Sequence, residues 1–311
     1  MLSYRHAFHA GNHADILKHS MLMLILKSLQ KKDKPYTLID THAGAGIYTL
    51  DDERAVKTGE AAEGIVRLLR AAEAAPEDVP EELLPYLKLC REYEKQGKYP
   101  GSPEIMRNFL RPTAGAAKGG AKSTATPAQD KLILLELHNT EIDVLRINMK
   151  RGSDSSRINI HHRDAYEAMS ALVPPEPKRG LLLMDPSYEV DSDYINVMDS
   201  LREAHRRWTS GIICLWYPLL KRRQAETAEL KAALADCAAK TPSSFMTAEL
   251  LVDSEDIETG LYGSGMAVIN PPWHLDDSMK NTLPYLESVL AAPQTEAVSA
   301  EPRWNIDIRA V

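Results

Sequence analysis

The chain reads as an α/β protein: a mostly parallel sheet with helices covering both faces. Short, wholly apolar runs such as Leu181-Leu-Leu-Met184 recur along it, the pattern of strands buried on both sides. Segments of helical periodicity separate those runs, and strands alternating with helices imply crossover connections between parallel strands. A glycine-containing turn directly after the first strand marks the end of the sheet where such folds bind ligands. With 311 residues, 44% apolar and 26% charged, the chain can bury the core of one large domain, with or without an insertion.

Residues 12–30 have a helical pattern, with Asn12 placed as N-cap and Asp15 in the first turn. Residues 36–40 form a short buried strand ending in Asp40, and the turn His42-Ala-Gly44-Ala-Gly46 follows at once. A helical stretch over 52–97 is punctuated by Pro76, Pro80 and Pro85. Residues 113–127 are small and polar, the composition of a flexible loop. Strands are predicted over 131–137, 157–161, 180–185 and 211–217, with helices over 139–150, 191–207 and 222–240. Residues 246–252 and 265–270 supply two further strands at an antiparallel edge. The stretch 292–311 gives no clear signal, and no repeat is visible.

The three cysteines, Cys90, Cys214 and Cys237, are widely spaced and odd in number. They make neither a disulfide framework nor a zinc ligand set, as expected in a reducing cytoplasm. The first nineteen residues are polar and histidine-rich, without the apolar core of a signal peptide. The longest apolar run, 21–26, is too short to span a bilayer. A cytoplasmic protein is expected, with no membrane partner. The net charge of −7 argues against a general nucleic-acid binder, but the charge is uneven. Arg5, Lys18, Lys27, Lys31 and Lys32 face only Asp15 within residues 1–32, while 51–95 is acidic. A local basic face is compatible with RNA.

Gly44 and Gly46 let the backbone approach a ligand closely, although a tight strand-to-helix turn explains them equally well. The third glycine of the dinucleotide fingerprint is missing. Glu136, at the end of the next strand, suits acceptance from both hydroxyls of a ribose; alone, a solvated strand-end carboxylate accounts for it too. Asp164 suits an adenine amine or, more simply, a helix N-cap before Ala165.

The strongest signal is the buried strand running into Asp185-Pro186-Ser187-Tyr188. An adenine amine is a poor nucleophile because its lone pair is delocalised into the ring. The Asp185 carboxylate and the Pro186 carbonyl, accepting its hydrogens, would draw the nitrogen toward tetrahedral geometry. Attack on a sulfonium methyl could then proceed in line. Tyr188 would stack on a base that has left its helix or loop. A proline turn after a strand is the plainer alternative. His9 and His13 are four apart, but no nearby acid or third ligand completes a metal site, and Gly11 disfavours a helix between them. No metal is expected.

That tetrad resembles the Asp-Pro-Pro-Tyr motif of amino methyltransferases, and Asp rather than Asn favours adenine N6 over protein glutamine. The stretch Met1-Leu-Ser-Tyr-Arg-His-Ala-Phe-His-Ala-Gly-Asn-His-Ala-Asp-Ile-Leu-Lys-His19, with Asp40-Thr-His-Ala-Gly-Ala-Gly46, closely resembles RlmJ, the bacterial 23S ribosomal RNA adenine-N6 methyltransferase family. The likeness covers nearly the whole chain. It implies a Rossmann-like S-adenosylmethionine-dependent methyltransferase fold, one domain over 1–311 with a mostly parallel seven-stranded sheet and a small helical insertion at 52–97. His19, His42, Ser102, Glu136 and Asp164 would then contact S-adenosylmethionine beside Gly44 and Gly46. Asp185, Pro186 and Tyr188 would form the catalytic edge, and Tyr4, His6 and Lys18 the target-base pocket. The implied partner is 23S rRNA, free or in an early assembly particle, with no obligate protein partner evident.

Two departures stand out: Ser187 replaces the motif's second proline, and 113–127 is extra length. A DNA adenine methyltransferase would share the tetrad, but no separate basic recognition domain is visible. A non-catalytic RNA-binding factor has Ser187 as its only hint.

Overall fold

The computed structural model describes residues 6–50, 58–112, 129–152, 154–240, 243–255, 257, 260–292 and 301–309. The predicted loop at 113–127, residues 52–57 of the helical stretch and Tyr4 lie outside these. Helix α1 (His13–Gln30) starts as the sequence indicates, the Asn12 side chain accepting from the Asp15 amide. Ile16, Leu17, Met21, Leu22, Ile25 and Leu26 are all fully buried, so α1 is a core helix rather than an amphipathic surface one. Strand β1 (Thr37–Asp40) follows, then β2 (Ile47–Thr49).

A kinked turn at Ala62–Val66 leads into α2 (Arg67–Ala74) and α3 (Leu84–Glu94). Pro85 stands in the first turn of α3, where its missing N–H costs nothing. Strand β3 (Lys98–Pro100) returns to pair antiparallel with β2. Then come α4 (Ser102–Asn108), β4 (Lys131–Glu136), α5 (Asn139–Met149), β5 (Ile158–His162), α6 (Ala165–Leu172), β6 (Gly180–Met184), α7 (Ser192–Arg207), β7 (Ile212–Leu219), α8 (Gln224–Ala239), β8 (Phe245–Leu251), β9 (Gly263–Ile269), α9 (Leu275–Leu290) and β10 (Trp304–Arg309).

The main sheet has eight strands in the order β10-β8-β9-β7-β6-β1-β4-β5. From β5 to β7 neighbours are parallel; β9 runs antiparallel to β7 and β8, and β10 antiparallel to β8. The mostly parallel Rossmann-like class stands, with the count corrected from seven to eight. The extra strand comes from the tail that gave no signal. Yet Trp304-Asn-Ile-Asp-Ile-Arg309 alternates apolar and polar, the period of a half-covered edge strand. Strand β9 is also interior, wedged between β7 and β8, rather than at an edge.

Both faces of the central strands are buried. Leu38, Leu181 and Leu183 point into the core beneath α1 and α9, while Ile39, Leu182 and Met184 point into the core beneath α6, α7 and α8. Each such side chain contributes about 1.5–3 kcal/mol by leaving water. The chain steps outward from β1 to β4 and β5, then returns to build β6 and β7 on the other side. This reversal leaves a crevice at the carboxyl ends of β1 and β6. Among the described residues no helix is long and apolar enough to cross a membrane.

Candidate active site

Two cavities open at that crevice. The first, about 310 Å³, is lined by the His42–Gly44 turn after β1, by Glu136 and His138 after β4, by Asp164 and Tyr166 after β5, and by Asp185, Pro186 and Ser187 after β6. The second, about 270 Å³, lies on the other side of Asp185, between the N-terminal arm and Tyr188, Trp216 and Pro218. His6, Asp185 and Ser187 line both. The two chambers therefore meet at the carboxylate that β6 delivers.

Gly44 and Gly46 both have positive φ, +56° and +76°. At Gly44 a Cβ would come within 2.1 Å of the Tyr48 hydroxyl, so the turn hugs its neighbours as only glycine allows. The Gly44 amide donates to Glu136 Oε2 at 2.7 Å, and the His138 amide to Oε1 at 2.6 Å. Burial raises the Glu136 carboxyl, partly offset by these two bonds. Rather than standing solvated, Glu136 braces the turn and retains a second lone pair on each oxygen. Asp164 caps α6, its Oδ1 accepting from the Tyr166 and Glu167 amides at 2.7 and 3.2 Å. The N-cap reading and a place on the cavity wall thus hold together.

His42 shares a hydrogen bond with the Thr41 hydroxyl at 2.8 Å. Burial lowers its pKa to about 4 despite Asp185 and Asp164, so it faces the cavity as neutral imidazole. Asp40, at the end of β1, is fully buried. Burial pushes it up to about 6; the Ser102 hydroxyl opposes this and the Asp185 charge adds to it.

The N-terminal arm is tied down at several points. Asp15, 1% exposed, accepts from His6 Nε2 at 2.9 Å and from the Gly11 amide at 2.8 Å. Lys18 Nζ sits 2.8 Å from Asp15 Oδ1, an ion pair without hydrogen-bond geometry, and donates to Asp185 Oδ2. Burial alone would raise Asp15 and lower Lys18. The charges of His6 and Lys18 hold the Asp15 carboxyl well below the usual range, and Asp15 and Asp185 keep Lys18 raised and protonated. The result is a buried chain, His6–Asp15–Lys18–Asp185, that fixes the cleft carboxylate from behind. Residues of the 58–65 segment hold the arm: Thr58 Oγ1 donates to the Phe8 carbonyl at 2.7 Å, and the Ile65 amide to that of Gly11 at 2.8 Å.

Tyr188 has φ +52°, a costly conformation for a bulky residue. Its hydroxyl donates to the Trp216 carbonyl at 3.0 Å, and its ring packs 4.6 Å from that of Tyr194 and 5.9 Å from that of Trp216. These contacts hold the strained residue as a wall of the second cavity. Ser187 stands in the partition between the chambers, where the motif's second proline would be.

Not every residue expected at the site lines a chamber. His6, His42, Gly44, Glu136, Asp164, Asp185 and Pro186 line the first; His6, Lys18, Asp185 and Tyr188 line the second. His19, Gly46 and Ser102 line neither. His19 is 1% exposed, bonded through Nδ1 to the Tyr99 hydroxyl at 2.7 Å, and lowered to about 3 by burial. Gly46 packs against Leu145 and Met149, and Ser102 opens α4 against Asp40. These three support the wall.

Sequence reasoning missed Asp15, whose first-turn position reads as a helix-dipole acid. It also found no acid near His9, yet Glu60 accepts from Asn12 at 2.9 Å and pairs with His9 Nδ1 at 2.8 Å. Nothing in the local pattern links residues 51 apart. Among the described residues no group of three or more His, Cys, Asp or Glu is arranged to hold a metal ion.

The strand order and its switch point, with a carboxylate delivered between two chambers, define a Rossmann-like methyltransferase. The model of the family described as ribosomal RNA large subunit methyltransferase D, RlmJ, matches residues 33–304, and the chain belongs to that family. It is similar to ribosomal RNA large subunit methyltransferase J of Escherichia coli (strain K12), 40% identical over 95% of this chain and 96% of that protein. The protein of the same name from Haemophilus influenzae is 37% identical over 97% and 98% of the two chains. Among solved structures, protein LPL1258 of Legionella pneumophila matches with a TM-score of 0.76 and 29% identity, covering 97% of this chain and 98% of that one.

Proposed function

We propose that this protein methylates the N6 amine of one adenine in 23S ribosomal RNA, in the cytoplasm, with S-adenosylmethionine as methyl donor. The observation that carries the reading is the pair of chambers joined at Asp185. We infer further that the chain is one methyltransferase domain, with residues 52–97 inserted as a helical subdomain that anchors the N-terminal arm.

The first chamber suits the donor. Its lining carries Glu136, Glu141, Asp164, Asp185 and Asp193 against Arg163, an acidic environment that favours a cation and disfavours a polyphosphate cofactor. Its size lies in the range of small-molecule sites. Glu136 would accept from the ribose hydroxyls and Asp164 from the adenine amine. His42 and Gly44 would flank the ligand, while His19, Gly46 and Ser102 act from behind the wall. Bound there, the donor supplies an electrophilic methyl on a sulfonium.

In the second chamber Tyr188 would lie against the target base, beside His6, Lys18 and, from the arm, Tyr4. The Asp185 carboxylate and the Pro186 carbonyl accept hydrogen bonds from the N6 amine, directing its lone pair toward the partition. Lys18 holds Asp185 in place as its ion-pair partner, so the carboxylate acts as acceptor and electrostatic stabiliser rather than as a strong base. Once methylated the nitrogen is cationic and acidic, and its proton leaves to Asp185 or to solvent.

The test is Asp185→Ala. Turnover should be abolished while donor binding, measured by calorimetry, is largely kept; unchanged turnover would sink the assignment. Comparing methyl uptake into protein-free rRNA and plasmid DNA separates the RNA reading from a DNA one.

A further inference from the structure

The second chamber has a wall that the family resemblance does not account for. Pro218 and Leu220 form it at the end of β7, with Arg222 in the turn beyond and Gly260 and Leu261 before β9. That turn, Lys221–Arg223, carries three cations in succession and leads straight into α8. Cations at a helix N-terminus face the positive end of its dipole, so the run is unfavourable for the helix itself.

The local contacts compensate only part of it. Arg223 Nη1 donates to Glu226 at 2.7 Å, and Nη2 pairs with Asp191. Exposed Arg222 makes no hydrogen bond or ion pair among the described residues. The chamber's other strong cation, Lys18, is held by Asp15 and Asp185, and His9 is bonded to Glu60. Arg222 therefore brings to the lining of this chamber an exposed positive charge that no hydrogen bond or ion pair with a described residue takes up, while Asp185 lines the same chamber.

We propose that Arg222 binds a backbone phosphate of the target nucleotide, so that the chamber takes a nucleotide within a strand rather than a free base. The proposal rests on the nucleic-acid reading above. A base extruded into an enzyme pocket keeps its flanking phosphates at the entrance. The planar guanidinium fork matches phosphate oxygens in a bidentate way that an ammonium cannot. Such a contact fixes register and orientation without reading sequence. Pro218, Leu220 and Leu261 give the same wall an apolar surface for the sugar and base.

The experiment uses the full chain and its Arg222→Ala, Arg222→Lys and Arg222→Glu variants. Lys280→Ala serves as control: this surface cation on α9 pairs with Asp276 and Asp277 outside both chambers. Labelled rRNA fragments are titrated by filter binding without donor, and methyl transfer is measured in parallel over a salt series. For Arg222→Ala, Kd and KM for RNA should rise about ten- to hundredfold, the loss of a charge-assisted hydrogen bond. The slope of log affinity against log salt should shrink by about 0.7, one phosphate of a single strand. Arg222→Lys should retain part of the affinity and Arg222→Glu lose most, with donor affinity unchanged throughout as evidence of folding. Wild-type Kd, KM and slope in Arg222→Glu would overturn the proposal. An equal loss in Lys280→Ala would also overturn it, by making the effect one of general charge. Failure of the underlying reading looks different: the unaltered protein would itself neither bind nor methylate rRNA.

Discussion

Replacing Lys18 with methionine removes the ammonium from the buried chain while keeping most of its length and volume, so little of the effect comes from a cavity. Two carboxylates then face each other. The Lys18 side chain is 4% exposed, that of Asp15 1% and that of Asp185 13%. Removing one partner of a buried ion pair costs about 3–5 kcal/mol, because a charge is stranded. Asp185 can recover some hydration at the cavity wall, and Asp15 retains His6 and the Gly11 amide. The expected loss is therefore near the lower end, about 3 kcal/mol, read as a fall in urea midpoint at constant m-value. The deficit should shrink on acidification from pH 7 to 5. Without the lysine the Asp15 carboxyl rises from its lowered position in the folded state, so the folded variant takes up protons that the unaltered fold does not. Adding Asp15→Asn should recover about 1–2 kcal/mol relative to Lys18→Met alone, since the most deeply buried charge is gone. A loss under about 1 kcal/mol, or a double variant less stable than the single, would refute the reasoning.

Other outcomes follow from the same geometry. Acidification should destabilise the unaltered protein between pH 6.5 and about 4. Burial depresses His13 and His42 to about 4 and His19 to about 3, so the unfolded chain binds protons first and stability falls with pH. Asp40, raised to about 6, works in the opposite direction, as do Glu136 and Asp193, which burial also raises, but the three histidine shifts outweigh them; a urea midpoint flat from pH 7 to 5 would contradict this balance. Gly44→Ala should cost at least about 1–3 kcal/mol and weaken donor binding, because φ is positive and the new Cβ meets the Tyr48 hydroxyl; wild-type melting and affinity would count against it. Tyr188→Phe should lose only about 1 kcal/mol, the bond to the Trp216 carbonyl, and keep turnover, since stacking needs the ring alone. A collapse of kcat in this variant would assign the hydroxyl a chemical role instead.

The parallel core was legible because strands buried on both faces must be continuously apolar: Leu181-Leu-Leu-Met184 could hardly be anything else. The Asn12 cap was legible because capping is local. Strand β10 was overlooked although its alternation was present, since a six-residue edge strand beside residues without pattern offers little context. At the site, the Asp185 tetrad and the glycine turn stand out because strand-end chemistry is written in adjacent residues. What stayed hidden depends on distant pairing. Lys18 meets Asp185 across 167 positions and His9 meets Glu60 across 51. The retreat of His19 behind the wall is set by packing against Tyr86 and Tyr99 on α3 and β3, and that of Ser102 by its bond to Asp40, which no spacing rule reports.

The two chambers are proposed to bring a sulfonium methyl and an adenine amine together at Asp185. Transfer of labelled methyl from S-adenosylmethionine to rRNA from cells lacking this protein, followed by digestion to nucleosides, tests this most directly. Label is expected in N6-methyladenosine of the large-subunit RNA, and is lost with Asp185→Ala. Donor bound with no label in that RNA, or label in another nucleoside, would contradict the proposal.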